Sequence, residues 1–120
     1  MSSVLDPDLV TGHVRRVQTA ATYLREGGAI VLDAAWDSAD GQLDIVYAER
    51  GSGARVLTVV KVMEFGVPVS RATVRQLKRM AVSWMMKHGV LLDDIRVDVI
   101  RVQHLAFGQF DLEHEHGVPE

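Results

Sequence analysis

Cysteine is absent from this 120-residue chain. Without it the chain has no disulfide framework, no thiolate zinc site and no cysteine nucleophile, and the absence fits a reducing cytoplasm. The sequence also lacks any apolar run near the roughly 20 residues that a membrane-spanning helix needs. Its first ten residues have neither the basic nor the apolar segment of a signal peptide. We therefore expect a soluble, cytoplasmic protein with no membrane partner.

A surplus of positive charge is also missing. The formal net charge is −3 and the sequence pI is about 5.9, whereas proteins that contact many phosphates usually present a basic surface. The composition therefore argues against strong, unassisted binding of nucleic acid. Hydrophobic residues make up 48% of the 13.3 kDa chain, which is enough apolar material for the core of one compact domain.

Hydrophobic periodicity predicts an unbroken array of elements with no repeat. Apolar residues recur at helical spacing in two segments, and short apolar or alternating runs rich in β-formers lie between and after them. The first three strands are expected to form an antiparallel meander, with a glycine-rich hairpin loop over 49–55. The predicted elements are a helix over 11–26, strands over 29–36, 43–48 and 56–63, a helix from the N-cap Ser70 to His88, and a strand over 95–102.

These elements divide the chain into a short N-terminal arm over 1–10, a single domain over 11–107 and a C-terminal tail over 108–120. The tail has no period, and we expect it to be mobile. Its Glu-His-Glu-His run at 113–116 has the ligand types of a zinc site. Neighbouring residues need a scaffold before they can converge on one ion, so the run is interpreted as part of a solvated acidic tail.

Six short motifs carry a resemblance to a known family. They read V-Q-T-A-A-T-Y-L at 17–24, A-W-D at 35–37, G-Q-L-D-I at 41–45, L-T-V-V-K at 57–61, R-V-D-V-I at 96–100 and H-L-A-F at 104–107. In this order and spacing the chain resembles the YraN-type family of small endonuclease-like proteins, within the PD-(D/E)xK restriction-nuclease superfamily. The resemblance implies an α/β (α+β) fold with a restriction-endonuclease-like αβββαβ core, in which two helices flank a mixed four-stranded sheet.

The resemblance also implies where a catalytic site would lie and shows what that site lacks. Asp44 matches the first metal ligand of the family and Lys61 its catalytic lysine. Val59 stands at the position of the second acid, and Gln42 and Gln18 replace two family glutamates. Hydrolysis of a phosphodiester by this route needs a divalent metal held by two or more carboxylates. We therefore expect a vestigial site, with metal binding at Asp44 weak or lost and no cofactor; an active site would use Mg2+ or Mn2+.

Another acid could complete such a site, and Asp37, Glu64 and Asp98 are the candidates that the sequence offers. An offset of three from Lys61 should aim Glu64 at the opposite face of the sheet if the strand continues that far. Asp44 also has a purely structural interpretation, as an acid beside a turn that is paired with Arg55 or Arg96.

The second helix carries a basic stripe at i, i+4, i+7 and i+8, made by Arg71, Arg75, Lys78 and Arg79. Such a stripe can follow a phosphate backbone. It is also the ordinary solvated face of an amphipathic helix. The sequence leaves both interpretations open.

Three hypotheses for function follow. The first is a catalytically degenerate endonuclease-fold protein that binds DNA or RNA. The second is a protein-interaction or homodimerisation module, in which Val59 and Met63 rebuild the old catalytic face as an apolar contact surface. The third, which the lost acids disfavour, is a working metal-dependent DNA or RNA endonuclease. All three rest on analogy of fold.

Overall fold

The computed structural model describes residues 7–49 and 55–120 and places two helices on opposite faces of one five-stranded sheet. No helix in these two stretches is long and apolar enough to cross a membrane. The elements in chain order are α1 (Pro7–Glu26), β1 (Ala29–Ser38), β2 (Gly41–Glu49), β3 (Val56–Met63), α2 (Arg71–His88), β4 (Asp94–His104), a short 3-10 turn (Ala106–Gly108) and β5 (Phe110–Glu115).

The sheet is mixed, and its strands lie side by side in chain order from β1 to β5. The first three strands form the predicted antiparallel meander. Strand β4 runs parallel to β3, which requires a crossover connection, and α2 supplies it. The predicted core of two helices and a mixed sheet is thereby confirmed.

Helix α2 begins and ends where its sequence signals indicate. The hydroxyl of Ser70 accepts a hydrogen bond from the Thr73 amide at 3.1 Å, and the C-cap Gly89 adopts a left-handed conformation with φ of 66°. Both features satisfy backbone groups that a helix end leaves open. Six residues of α2 form its buried stripe, namely Val74, Leu77, Met80, Ala81, Trp84 and Met85.

The apolar residues of the sheet form two separate core clusters, one under each helix. Val59 packs with the buried stripe of α2, whereas its neighbours Val60 and Val62 pack with Val17 and Leu24 of α1. This division follows from the alternation of side chains along a strand. Because both faces of β3 are covered, its residues form the near-continuous apolar run expected of a strand buried on both sides.

Several boundaries differ from the sequence-based predictions. Helix α1 begins at Pro7, inside the predicted N-terminal arm, and β1, β2 and β4 are each longer than expected. The prediction of four strands is wrong, because the segment expected to be a mobile tail contains β5, which pairs with β4 from Val99↔Glu115 to His104↔Phe110. Residues 1–6 of the arm and 50–54 of the hairpin loop lie outside the described residues.

Candidate nuclease-like site and basic surface

Asp44 lies where β2 and β3 stop pairing. The two strands pair from Tyr47↔Thr58 to Ile45↔Val60. One residue further, the Oδ2 atom of Asp44 accepts the Val62 amide hydrogen at 2.8 Å. The carboxylate thus replaces a main-chain carbonyl as the partner of this amide, and it is almost fully buried. A buried amide needs a partner, so Asp44 has a structural role at the point where the ladder opens.

The second carboxylate oxygen of Asp44 is also occupied. Its Oδ1 atom lies 3.0 Å from Nε2 of His13, a half-buried residue of α1. The arginines expected as partners bind elsewhere, since Arg55 donates to the Leu91 carbonyl and Arg96 donates to Asp98. The prediction of an arginine partner for Asp44 is therefore wrong. A histidine 31 residues away in sequence had no local signal that could have identified it.

Asp44 and Lys61 follow Ile45 and Val60, the last paired residues of β2 and β3, but their side chains form no hydrogen bond or ion pair with each other. Val59 is fully buried against α2, and alternation places Lys61 on the same side of the sheet. The contacts of Asp44 lead instead to His13 of α1, on the other side. Lys61 is half-buried and has no hydrogen bond or ion pair with another residue in the described ranges.

The remaining family positions and candidate acids have other partners. Gln42 donates to Asp37 at 3.0 Å, both exposed, and Gln18 is exposed on α1. Glu64, just beyond the end of β3, lies 3.5 Å from Arg16. Each of these side chains is engaged away from the carboxylate of Asp44, or faces solvent.

These residues do not fit the two-carboxylate magnesium site that the resemblance implies. A hard divalent cation prefers several oxygen ligands, and Val59 offers none at the second position. Within residues 7–49 and 55–120, one group of three metal-ligating side chains converges, and it consists of Asp98, His114 and His116. Asp44 is not part of it.

The basic stripe of α2 lies on the outer surface of the molecule. Arg71, Arg75 and Arg79 are exposed, while Lys78 forms an ion pair with Glu120 at 3.1 Å. The helix contains no acidic residue, so its exposed side has a single sign of charge apart from the pairing with Glu120. The stripe faces away from the sheet, on the side opposite α1 and His13.

A second polar cluster surrounds Asp98, which is fully buried on β4. Its carboxylate accepts hydrogen bonds from the Tyr47 hydroxyl at 2.6 Å, Nε of Arg96 at 2.9 Å and the Gly117 amide at 2.9 Å, and it lies 2.7 Å from Nε2 of His114. Burial alone would raise the pKa of Asp98, but these hydrogen bonds hold it well below its usual value. Burial, together with the bond to Asp98, raises the pKa of Tyr47.

The structural role of Asp44 gives a testable prediction. We expect Asp44→Ala to lower the free energy of unfolding by about 1–3 kcal/mol, because it leaves the buried Val62 amide without a partner. Urea denaturation measures this change. Asp37→Ala is the matched control, since Asp37 is exposed and bonds only a side-chain amide in β2. Equal stability of the two variants would contradict the assigned role of Asp44.

The family to which the motifs point is found by direct comparison. The model of the uncharacterised protein family UPF0102 matches residues 18–102. A UPF0102 protein of Beutenbergia cavernae is 31% identical over 117 residues, which cover 92% of this chain and 96% of the relative. A UPF0102 protein of Arthrobacter sp. strain FB24 is 33% identical over 110 residues, which cover 87% of this chain and 92% of the relative. A UPF0102 protein of Mycolicibacterium gilvum is 32% identical over 107 residues, which cover 84% of this chain and 87% of the relative.

Proposed function

The chain belongs to the UPF0102 family of uncharacterised proteins, and we propose that it is a catalytically degenerate endonuclease-fold protein that binds nucleic acid. One observation carries the proposal: an apolar residue, Val59, is sealed in the core at the position of the second metal ligand, while the basic stripe on α2 stays exposed. The chemistry is lost and a phosphate-binding surface is kept.

The geometry of α2 suits a phosphate backbone. Arg71, Arg75 and Arg79 are four residues apart and therefore lie on one side of the helix. They span about 12 Å along the axis, a length over which one strand of a duplex presents roughly three phosphates. Guanidinium groups bind phosphate oxygens through paired hydrogen bonds. Contacts to phosphates do not distinguish one base from another, so we expect binding to either DNA or RNA with little sequence preference.

The two other hypotheses have less support. A contact surface built on Val59 has no support, because this side chain has no exposed area. Of the two residues expected on that surface, Met63 is half-buried. An endonuclease would need a second carboxylate beside Asp44, and Asp37, Glu64 and Asp98 each bind other groups.

Reversing two charges of the stripe tests the proposal. We expect the purified protein to bind fluorescently labelled double-stranded DNA, with an affinity that falls as salt rises. In the Arg75→Glu, Arg79→Glu variant, two phosphate contacts are lost, so the slope of log K against log salt should shrink by about 2. The affinity at low salt should fall at least about tenfold, as measured by fluorescence anisotropy with duplex DNA, single-stranded DNA and RNA.

The matched control reverses two exposed basic residues outside the stripe, Arg25 in the last turn of α1 and Lys87 in the last turn of α2. It changes the net charge by the same amount. An equal loss of affinity in both double variants would mean that net charge and not the stripe governs binding. Absence of salt-dependent binding to all three probes would overturn the proposed function.

A further inference from the structure

Three side chains with metal-ligand chemistry converge at the edge of the sheet formed by β4 and β5. Asp98 lies on β4, His114 lies on β5, and His116 follows directly after β5. The Oδ2 atom of Asp98 is 2.7 Å from Nε2 of His114 and 3.7 Å from Nδ1 of His116. One ligand atom from each residue lies within 4.8 Å of the other two.

We propose that Asp98, His114 and His116 form a binding site for a transition-metal ion of the zinc class. Zinc bonds to histidine nitrogen and carboxylate oxygen are about 2.0–2.2 Å long, so ligand atoms at the corners of a tetrahedron lie about 3.3 Å apart. The two measured separations lie on either side of this distance. Moderate side-chain rotation, above all of the exposed His116, would bring all three atoms onto one ion.

The groups that hydrogen-bond to these ligands are arranged like those around the ligands of protein-bound metals. A ligating histidine normally uses its second ring nitrogen to bond a fixed partner, which sets the orientation of the ring. Here Nδ1 of His114 lies 2.9 Å from the Tyr23 hydroxyl, which leaves Nε2 to face Asp98. The Asp98 carboxylate is itself held by Tyr47 and by the Gly117 amide. Two of the three ligands are thus fixed before an ion arrives.

A cavity beside the cluster provides access and room for a further ligand. Its volume is about 370 Å³, and its lining includes Tyr23, Tyr47, Glu49, His114 and His116. His116 is largely exposed at 58% of its side-chain area, so an ion can enter from solvent. The fourth position can be taken by water or by an exogenous small anion, as in zinc sites with three protein ligands.

The donor set determines which cations fit. Two imidazoles and one carboxylate suit zinc, nickel or copper, whereas magnesium and calcium prefer oxygen ligands alone. Arg96 contacts both Asp98 and Glu49, so its positive charge is offset by two carboxylates and the net local charge remains negative. The site is separate from Asp44 and from the basic stripe of α2, and it does not depend on the proposed function.

Calorimetric titration of the full chain, made without a histidine tag, tests this site with ZnCl2, NiCl2 and MgCl2 at neutral pH. We expect one equivalent of zinc or nickel and no magnesium to bind. The variant His116→Gln should bind zinc at least about tenfold more weakly, since the loss of even an outer partner of a metal ligand costs about 10–100-fold in affinity. Its fold should persist because His116 is exposed and lies outside β5.

The matched control is Glu115→Gln, the residue between the two histidines, which contacts Arg101 instead of Asp98. It should bind zinc like the unchanged protein. Zinc should also raise the melting temperature of the unchanged protein and of the control, because an ion that binds only the folded state stabilises it, and this gain should shrink in His116→Gln. No binding of zinc or nickel to the unchanged protein, or equal affinity in His116→Gln, would overturn the proposal.

Discussion

The variant Val59→Asp is expected to lose cooperative folding at room temperature. Val59 has no exposed area and belongs to the core cluster that α2 covers, so a carboxylate at this position would be buried without a partner. The cost of an unpaired buried charge places this substitution in the class that destabilises by more than about 4 kcal/mol. That is close to the whole stability of many domains, about 5–15 kcal/mol. Circular dichroism during urea denaturation measures the change.

A matched control is Val82→Asp, on the helix α2 that covers Val59 but with the side chain 44% exposed. It places the same charge where water can solvate it, and we expect it to cost less than about 1 kcal/mol. If Val59→Asp unfolds at nearly the same urea concentration as the unchanged protein, the side chain at position 59 can reach solvent. A second carboxylate at position 59 would then be structurally possible, and the claim that core packing excludes it would fail.

The same reasoning applies to any attempt to restore the family site. The double variant Val59→Glu, Gln42→Glu returns two acids to the positions that the resemblance implies. Because position 59 faces α2 while Asp44 contacts His13 of α1, we expect the restored glutamate to disturb the core before it can share a metal with Asp44. The valine at the position of the second acid is thus part of the core packing under α2.

The sequence predicted best those elements whose own residues determine their structure. Strand β3 was predicted with its observed bounds, Val56–Met63, because a continuous apolar run of β-formers indicates a strand covered on both faces. Helix α2 was also correct at both ends, since Ser70 and Gly89 cap it through local hydrogen bonds and backbone conformation. In both cases the signal lies within the element.

The structural features that the sequence did not predict depend on residues that are distant in sequence. Strand β5 was missed because His114 is one of its two inward residues and pairs with the buried Asp98, so the alternation of apolar and polar residues that marks a strand is broken. The partner of Asp44 was missed because His13 belongs to another element. For the same reason the histidines at 114 and 116 were assigned to a tail, although β4 provides the scaffold that makes them converge.

A substitution in the buried network around Asp98 should give the second large loss of stability. We expect Asp98→Ala to lower the free energy of unfolding by about 3–5 kcal/mol, because removing one partner of a buried ion pair leaves the other uncompensated. Arg96 and the Tyr47 hydroxyl would both lose their bond to this carboxylate. Glu49→Ala is the control: it also removes a partner of Arg96, but Glu49 is exposed and the loss should stay within about 1 kcal/mol.

The depressed pKa of Asp98 makes this stabilisation depend on pH in a defined direction. The carboxylate is ionised in the folded protein to a lower pH than in the unfolded chain, where its pKa is about 3.9. Its contribution is therefore complete above about pH 5 and is lost progressively as the pH falls below that value. We compare the unchanged protein with Asp98→Asn, which keeps the shape of the side chain but cannot ionise.

The difference in stability between these two proteins should be constant from neutral pH to about pH 5 and should narrow in more acidic solution. Urea denaturation at a series of pH values measures it. A difference that grows on acidification, or that does not change down to pH 2, would mean that Asp98 is not the ionised acceptor of its four partners.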